Sequence, residues 1–309
     1  MPFNITDPVF SDEAKARAFF EKQRWPNGPQ CPFCGETENV TRLGGKAGAE
    51  GRLHCRSCRK KFSVTVGTVM ERSHIPLTKW LMTFRLMASS KKGVSAHQVH
   101  RMLGVTYKTA WFLCHRVREA MGLPKSTEPI GGKGKTVEAD ETFVGGKAKN
   151  VHRGKPIPPK RPVVALVERG GEVRARHVAD VTAKSIRSVI VTQASRDSNL
   201  STDESLTYYW LGREFEKHMS VNHSAGEYVR GEATTNTIES FFAIIKRQMY
   251  GTHHAVSEAH LQRYVNEIAF KWNNRAKLGI NDEARTNAAI RGSTGKRLTY
   301  RRTDNAANA

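Results

Sequence analysis

The sequence predicts an α/β protein in which a mixed sheet flanked by helices follows a small cysteine-rich ribbon and a helical segment. Two C-x₂-C pairs lie near the N-terminus, helical periodicity dominates residues 73–130, and strand-like runs alternate with helical runs from Thr136 onwards. Three successive strands followed by alternating helices and strands are typical of a mixed sheet that is covered on both faces.

The four paired cysteines predict a structural zinc site. Their spacing is C-x₂-C-x₂₀-C-x₂-C, and the residues are Cys31, Cys34, Cys55 and Cys58. Each C-x₂-C turn can place two thiolates on one tetrahedral Zn²⁺, and four sulfurs leave no open position for catalysis. A redox dithiol or disulfides are the alternative, but paired C-x₂-C turns in an intracellular chain favour zinc. We therefore predict an N-terminal helix and a zinc ribbon over residues 1–72.

Residues 73–130 predict a helix-turn-helix segment. A first helix follows Pro76, a second is capped by Ser95 and stopped by Gly104, and a third begins at Tyr107. The last helix would enter the major groove of DNA, so the candidates for base or phosphate contacts at its N-terminus are Tyr107, Lys108 and Thr109. A plain helical linker is the alternative.

The charge of the chain favours the DNA-binding interpretation. The 309 residues have a formal net charge of +21, and a basic excess of this size favours polyanionic partners. The excess is densest in residues 73–135, where eleven Lys and Arg residues accompany two acids. No apolar run is long enough to span a membrane and no signal-peptide pattern opens the chain, so we expect an intracellular protein without a membrane partner.

Three acids in residues 131–290 predict a metal-dependent catalytic domain. Asp140 lies in a strand-like run, Asp203 follows a short extended segment, and Glu239 lies in a helical run with 35 residues between it and Asp203. Lys246 follows Glu239 by seven residues, which places both on one face of a helix. Enzymes that cut and join phosphodiesters hold a pair of Mg²⁺ ions with carboxylates from separate segments. A capping box, Asn236-x-x-Glu239, is the alternative for Glu239.

The predicted elements of this domain are five strands and several helices. We predict strands at 136–144, 163–169, 172–179, 198–202 and 219–222, and helices at 183–193, 206–217, around Glu239 and at 256–274. Residues 291–309 are polar, basic and small, so we expect a disordered tail.

The sequence motifs around the three acids resemble those of bacterial DDE transposases from insertion sequences that carry an N-terminal zinc ribbon, the fifteen-ninety-five group. The resemblance covers the chain from about Ala14 to Arg275. It is carried by these stretches: ADETFVGGK (139–147), STDE (201–204), VNHS (221–224), TNTIESFFAIIKR (235–247), GTHH (251–254) and HLQRY (260–264).

The resemblance implies a ribonuclease-H-like catalytic domain, catalytic Mg²⁺ or Mn²⁺, and transposon-end DNA as substrate. By position, Asp140, Asp203 and Glu239 would be the catalytic triad that binds the metal. Lys246 would be the DNA-contacting lysine, with Arg247 beside it. Because parts of this family carry Asn as the third catalytic residue, Asn236 is a further candidate. The neighbouring acids are expected to tolerate substitution far better; they are Glu138, Glu141 and Glu204.

We therefore expect a transposase that binds the ends of an insertion sequence and catalyses metal-dependent strand cleavage and strand transfer. Its partners would be transposon-end DNA, target DNA and further copies of itself in the active complex, in the cytoplasm at the bacterial nucleoid. The alternatives are a captured or inactive transposase that acts as a DNA-binding regulator, and a ribonuclease-H-type nuclease. The complete acid set argues against the first, and the ribbon with its helix-turn-helix segment argues against the second.

Overall fold

The structure is a computed structural model that describes residues 4–124, 127–145, 159–222, 225–227 and 229–299. The chain forms two compact units. The first unit contains the residues up to Gly122 together with those from Ala276 onwards, and the second contains Leu123–Arg275. Within the described ranges, no helix combines the length and the apolar character that a membrane span requires.

The first unit combines a small ribbon with a group of helices. The ribbon is a three-stranded antiparallel sheet in the order β1-β2-β3. The elements of the unit are α1 (Glu13–Arg24), β1 (Val40–Arg42), α2 (Gly45–Ala49), β2 (Leu53–Cys55), β3 (Lys61–Phe62), α3 (Leu77–Ser89), α4 (Ala96–Leu103), α5 (Tyr107–Ala120) and, late in the chain, α10 (Asp282–Arg291).

Local capping fixes the bounds of the two helices in the predicted helix-turn-helix segment. Ser95 caps α4 by accepting a hydrogen bond from the backbone N–H of Gln98. Gly104 ends α4 in the left-handed conformation, with a φ of 58°, which costs glycine little because it has no Cβ. Thr106 then caps α5. The predicted start and stop signals of α4 are confirmed, and α4 packs directly against α5.

Helix α10 belongs to the first unit, although the sequence analysis assigned residues up to 290 to the catalytic domain. It packs against α1 and α3 and buries Ala289 and Ile290. The buried Arg285 donates hydrogen bonds to the carbonyl of Ala88 and to Asp282. The predicted disordered tail also differs from the structure, because Thr294 pairs with Thr68; residues 300–309 of that tail lie outside the described residues.

The second unit is built on a five-stranded mixed sheet in the order β6-β5-β4-β7-β8. Strands β4, β5 and β6 are antiparallel neighbours, whereas β7 and β8 run parallel to β4. The elements are β4 (Thr136–Val144), β5 (Arg161–Glu168), β6 (Val173–His177), α6 (Ala183–Gln193), β7 (Asn199–Asp203), α7 (Leu206–Gly212), β8 (Lys217–Val221), β9 (Val229–Arg230), β10 (Ala233–Thr234), α8 (Asn236–Gln248) and α9 (Glu258–Asn273).

Helices cover both faces of this sheet, as the sequence predicts. Because side chains alternate along a strand, Val163, Ala165 and Val167 of β5 pack with α8 and α9. Val164 and Leu166 point the other way and pack with α6 and α7. The mixed sheet flanked by helices is therefore confirmed, and it carries β4 and β7 side by side at its centre.

Candidate functional site

The sheet brings Asp140 and Asp203 together. Strands β4 and β7 are parallel, and Glu138 pairs with Ser201. Two residues further along each strand lie Asp140 and Asp203, which are therefore level on adjacent strands and on the same face. Neighbouring strands are about 4.8 Å apart. The two carboxylates consequently leave the sheet at the same point.

Glu239 approaches the same point from the first turn of α8, a helix that packs on β4. The electrostatics show this convergence. Burial is the main cause that raises the pKa of Asp140 to about 7, and repulsion from the carboxylates of Asp203 and Glu239 adds to it. Carboxylates that lie close together form a site of concentrated negative potential, and hard divalent cations select such oxygen ligands.

Glu141 belongs to this acid cluster as well. It lies on the opposite face of β4 from Asp140 and accepts a hydrogen bond from the hydroxyl of Tyr208 on α7. Burial is the first cause that raises its pKa, and repulsion from Asp203 contributes. Burial and the Glu141 carboxylate raise the pKa of Tyr208 well above its ordinary value. This position argues against the expectation that Glu141 tolerates substitution, whereas Glu204 is exposed.

Glu138 is fully buried, which also argues against its expected tolerance. Its carboxylate accepts hydrogen bonds from the backbone N–H groups of Thr237 and Ile238, at 2.9 and 3.0 Å, and from the side chain of Thr237. Arg169 donates to it at 2.8 Å and also reaches the carbonyls of Glu232 and Thr234. Glu138 and Arg169 therefore join β4 to the beginning of α8.

The beginning of α8 differs from the capping-box alternative. The helix begins at Asn236, with Thr235 in the N-cap position. The backbone N–H of Asn236 donates to the hydroxyl of Thr234, and that of Glu239 donates to the carbonyl of Thr235. The Glu239 carboxylate accepts from the Thr235 hydroxyl at 3.0 Å. Asn236 lies exposed in the first turn, three residues before Glu239.

The two basic candidates of α8 lie at the other end of the helix. Lys246 and Arg247 are exposed in its last turn. Seven residues separate Lys246 from Glu239, which corresponds to about 10 Å along the helix axis. A cation at this distance can contact a neighbouring phosphate of a DNA strand whose scissile phosphate lies at the acids.

The four paired cysteines of the ribbon converge. All their sulfur atoms lie within 4.8 Å of one another, and the Cys31–Cys58 and Cys34–Cys55 sulfur pairs are each 3.6 Å apart. A tetrahedron with Zn–S bonds of about 2.3 Å has S···S edges of about 3.8 Å, so the residues fit a structural Zn²⁺.

Glu36 braces the two C-x₂-C turns. Its carboxylate accepts a hydrogen bond of 2.7 Å from the Ser57 hydroxyl, and it also accepts from the backbone N–H groups of Thr37 and Glu38. The Ser57 hydrogen bond is the first cause that lowers the pKa of Glu36 to about 2. Glu36 follows the first turn and Ser57 lies within the second, so this bond holds the metal ligands in register.

The candidate DNA-contacting residues of α5 are displayed in its first turn. Tyr107 and Lys108 are exposed, and the Tyr107 ring stacks on His97 of α4 with ring centroids 4.2 Å apart. The backbone N–H of Thr109 donates to the Thr106 hydroxyl, so Thr109 takes part in the cap. The side chains that remain most open to a ligand here are Tyr107 and Lys108.

Sequence reasoning missed Glu138, Arg169 and Tyr208. One signal was available for Glu138, because it precedes Asp140 by two residues in a strand and therefore shares its face. Arg169 and Tyr208 carry no local signal, since their partners are distant in the chain.

Comparison with known proteins gives two family matches. The ISXO2-like transposase domain matches residues 131–273, and the transposase zinc-ribbon domain matches residues 11–61. An uncharacterized protein in the transposable element ISH50 of Halobacterium salinarum is 28% identical over an alignment of 280 residues, and the match covers 85% of this chain and 92% of that protein.

A chain in the cryo-EM structure of the simian T-cell lymphotropic virus intasome, in complex with PP2A regulatory subunit B56 gamma, aligns with 55% of this chain and 63% of its own length. The TM-score is 0.28 and the identity 16%, values too low to carry an argument. The ribbon and the ribonuclease-H-like sheet occur in the order of the two family matches. The chain therefore belongs to the IS1595 family of transposases, which carry an N-terminal zinc ribbon.

Proposed function

We propose that the protein binds the ends of an insertion sequence and catalyses metal-dependent DNA cleavage and strand transfer. The observation that carries the proposal is the convergence of Asp140, Asp203 and Glu239. Asp140 and Asp203 lie level on adjacent strands, and repulsion from Asp203 and Glu239 adds to the burial that raises the pKa of Asp140 to about 7. Such a cluster becomes favourable when divalent cations neutralise it.

Each acid of the proposed triad would bind the metal from a different element. Asp140 comes from the central strand β4, Asp203 from the end of β7 and Glu239 from α8. Bound Mg²⁺ or Mn²⁺ would polarise the scissile phosphate and stabilise the leaving oxygen. Asn236, one helical turn before Glu239, would contact the same phosphate group. The Thr235 hydroxyl orients the Glu239 carboxylate through its hydrogen bond.

The two proposed reactions use one chemistry. In cleavage, a water oxygen bonds to phosphorus, the 3′ oxygen of the element leaves, and a proton moves to that oxygen. In strand transfer, this 3′ hydroxyl attacks a phosphorus of the target DNA, loses its proton and displaces the target's 3′ oxygen. Each step breaks one P–O bond and forms one, so the same acids serve both.

The proposed DNA contacts lie on both units. Tyr107, Lys108 and Thr109 would read or hold the element's ends, and Lys246 and Arg247 would hold phosphates near the acids. The net charge of +21 supports a polyanionic partner. Because joining an element to its target requires both of its ends, we propose a homo-oligomeric active complex in the cytoplasm at the nucleoid.

Cleavage of labelled DNA carrying one end of the element tests the proposal. The purified protein should cut this DNA in Mg²⁺ or Mn²⁺, and Asp140→Ala, Asp203→Ala and Glu239→Ala should each abolish cutting while circular dichroism and zinc content stay unchanged. Glu204→Ala is the matched control, because Glu204 is an exposed acid next to Asp203. If Glu239→Ala remains active and Asn236→Ala does not, Asn236 would take the place of Glu239 as the third catalytic residue.

The test also separates the competing functions. A protein that binds the element's ends selectively but cuts no DNA in either metal would be a DNA-binding regulator. Cleavage of RNA–DNA hybrids without any preference for the element's ends would indicate a ribonuclease-H-type nuclease.

A further inference from the structure

Helix α7 exposes an apolar face next to the proposed cleavage site. Leu206, Tyr209 and Trp210 are 85%, 51% and 69% exposed. Their spacing of three and four residues places them on one side of the helix. Tyr208 and Leu211 on the other side are buried in the core. We call Leu206, Tyr209, Trp210 and the following Arg213 the α7 patch.

Arg213 organises the aromatic rings of this patch. Its guanidinium carbon lies 4.3 Å from the ring centroid of Trp210 and 4.9 Å from that of Tyr209. It also donates a 2.9 Å hydrogen bond to the Tyr209 hydroxyl. The two rings meet edge to face with their centroids 5.3 Å apart. Two ring systems and a cation are thus held together at an exposed position.

The α7 patch is fixed close to the acids by two contacts. The backbone N–H of Ser205, the N-cap residue of α7, donates to the Asp203 carboxylate at 3.1 Å. Tyr208 donates to Glu141 from the buried side of the helix. The seven residues of α7 span about 10 Å. A duplex strand rises about 3.4 Å per nucleotide, so the length of α7 corresponds to about three nucleotides counted from Asp203.

The size and composition of the α7 patch favour nucleobases over a second copy of the chain as its binding partner. A stable interface with a second copy of the chain buries about 800 Å² on each side, and one seven-residue helix face is too small to provide that area. Nucleobases need less, since each stacks on a single ring, and every base offers a π-face. Arg213 suits nucleic acid further, because a guanidinium binds phosphate and stacks on aromatic rings.

We propose that the α7 patch binds unpaired nucleobases of the DNA strand beside the cleavage site. The bases stack on Trp210 and Tyr209, and Leu206 fills the space left by the separated base pair, as apolar wedges do in other DNA-binding proteins. The proposal deepens the proposed function and rests on it. It implies that the protein prefers DNA whose end is already unpaired over the same DNA fully paired.

Binding of DNA of arbitrary sequence tests the proposal in the absence of Mg²⁺ and Mn²⁺, so that no cutting is needed. The probes are a duplex of about 20 base pairs and the same duplex with three mismatched pairs at one end, where one mismatched base is fluorescent 2-aminopurine. The full-length protein should bind the mismatched duplex more tightly and quench the 2-aminopurine.

Three substitutions of Trp210 separate stacking from other effects. Trp210→Ala should weaken binding of the mismatched duplex by about tenfold and change binding of the paired duplex by less than about twofold, because stacking is lost only where bases are free. Trp210→Phe keeps an aromatic ring and should remain within about threefold of the wild type. Trp210→Leu keeps apolar surface but no ring, so it should behave like Trp210→Ala and lose the quenching.

Other results would overturn the proposal. Equal weakening for both duplexes would show that Trp210 supports DNA binding in general, and wild-type binding by Trp210→Leu would exclude stacking. A changed oligomeric state of Trp210→Ala in sedimentation, with unchanged DNA affinity, would make the α7 patch an interface between copies. Wild-type cleavage of an element end is measured separately, so failure of the proposed function and failure of the stacking proposal remain distinguishable.

Discussion

Glu138 holds the first turn of α8 from the centre of the sheet. Its buried carboxylate accepts the amides of Thr237 and Ile238, which a helix leaves unpaired at its N-terminus. A negative charge at this position is also favourable to the helix dipole. Glu239 directly follows Ile238 in the chain. The hydrogen bonds that Glu138 accepts therefore position Glu239, although none of them involves the Glu239 side chain.

We predict that Glu138→Ala destabilises the protein strongly. The substitution removes the partner of a largely buried guanidinium, that of Arg169, and leaves two helix amides without their acceptor. Loss of one member of a buried pair costs about 3–5 kcal/mol in the free energy of unfolding, as denaturant titration would measure. Glu138→Gln should cost less, since the amide oxygen can still accept one bond. The exposed control Glu204→Ala should stay within about 0.5 kcal/mol of the wild type, and wild-type stability of Glu138→Ala would contradict this role.

A pH-dependent stability follows from Asp140. The folded protein raises the pKa of this acid from 3.8 to about 7, so between these values the folded state keeps a proton that the unfolded chain has lost. Stability must therefore fall as the pH rises from about 4 to about 7. Asp140→Asn removes this penalty and should stabilise the Mg²⁺-free, zinc-loaded protein at pH 8 by about 1–4 kcal/mol, with no gain near pH 4.

Thermal unfolding at both pH values checks this expectation, with Glu204→Gln as the control that should show no difference. A gain from Asp140→Asn that is equal at pH 4 and pH 8 would contradict the titration argument. Added Mg²⁺ should stabilise the wild type more than Asp140→Asn, since the proposed metal site uses the charged carboxylate of Asp140.

The sequence identified part of this site. The sequence motifs around Asp140, Asp203 and Glu239 identified them as candidates, and the structure brings the three residues together. Their catalytic roles stay predictions. Glu138 and Glu141 were set aside as neighbours, because their burial depends on Arg169 and Tyr208, which the sheet brings in from distant positions. A local sequence motif contains only a residue's neighbours in the chain, so it cannot show which residues lie beside it in the folded sheet.

At the level of elements, the ribbon is the clearest unit whose ligands could be predicted. Its four sulfurs meet within 4.8 Å, as the two C-x₂-C turns required. The predicted helix at 206–217, in contrast, ends at Gly212 and a strand begins at Lys217. A Cβ at Gly212 would lie 2.2 Å from the ring of His218 on β8, so the His218 side chain would have to move before any other residue could stand there. No periodicity in the sequence reports that approach.

Substitution of a ribbon cysteine should release the metal. We predict about one zinc per wild-type chain, measured by mass spectrometry of the metal, and close to none in Cys34→Ser, because three thiolates and a hydroxyl bind Zn²⁺ more weakly. Cys114→Ala is the matched control, since Cys114 is buried in α5 and outside the described four-sulfur cluster. Full zinc content in Cys34→Ser would refute the assignment of that ligand.

Helix α5 should contribute selective DNA binding through its first turn. Lys108→Ala is expected to weaken binding to the element's ends and to reduce the slope of log affinity against log salt by about one, as loss of one phosphate contact does. Lys277→Ala removes an exposed lysine elsewhere in the first unit and should change neither quantity. Unchanged end binding by Lys108→Ala would remove that residue from the proposed interface.

At the scale of the whole molecule, the chain returns late to the unit it began. Helix α10 buries Ala289 and Ile290 and packs on α3 and α1, which end 193 and 258 residues before α10 begins (282 − 89 and 282 − 24). No pattern in the sequence predicts this return, because a helix of this composition fits either unit equally well. Only its packing on α1 and α3 assigns it to the first unit.

We therefore expect the two units to differ when they are produced alone. A fragment of residues 123–275 contains the complete sheet with its helices and should show a cooperative thermal transition. A fragment of residues 1–122 lacks α10, which leaves apolar surface on α1 and α3 uncovered, so it should show no cooperative transition. Addition of a peptide of residues 276–299 should restore the transition. Cooperative unfolding of the fragment 1–122 alone would contradict this account.

The return of α10 also orders events during synthesis. The ribosome adds the residues of the second unit before those of α10, so the first unit can be completed only after all three acids have been synthesised. Premature termination after residue 275 would therefore yield a product with the acid cluster intact and the first unit unfinished. In such a product, the residues proposed for the chemistry would all be present, whereas the unit that bears the zinc ribbon would lack its last helix.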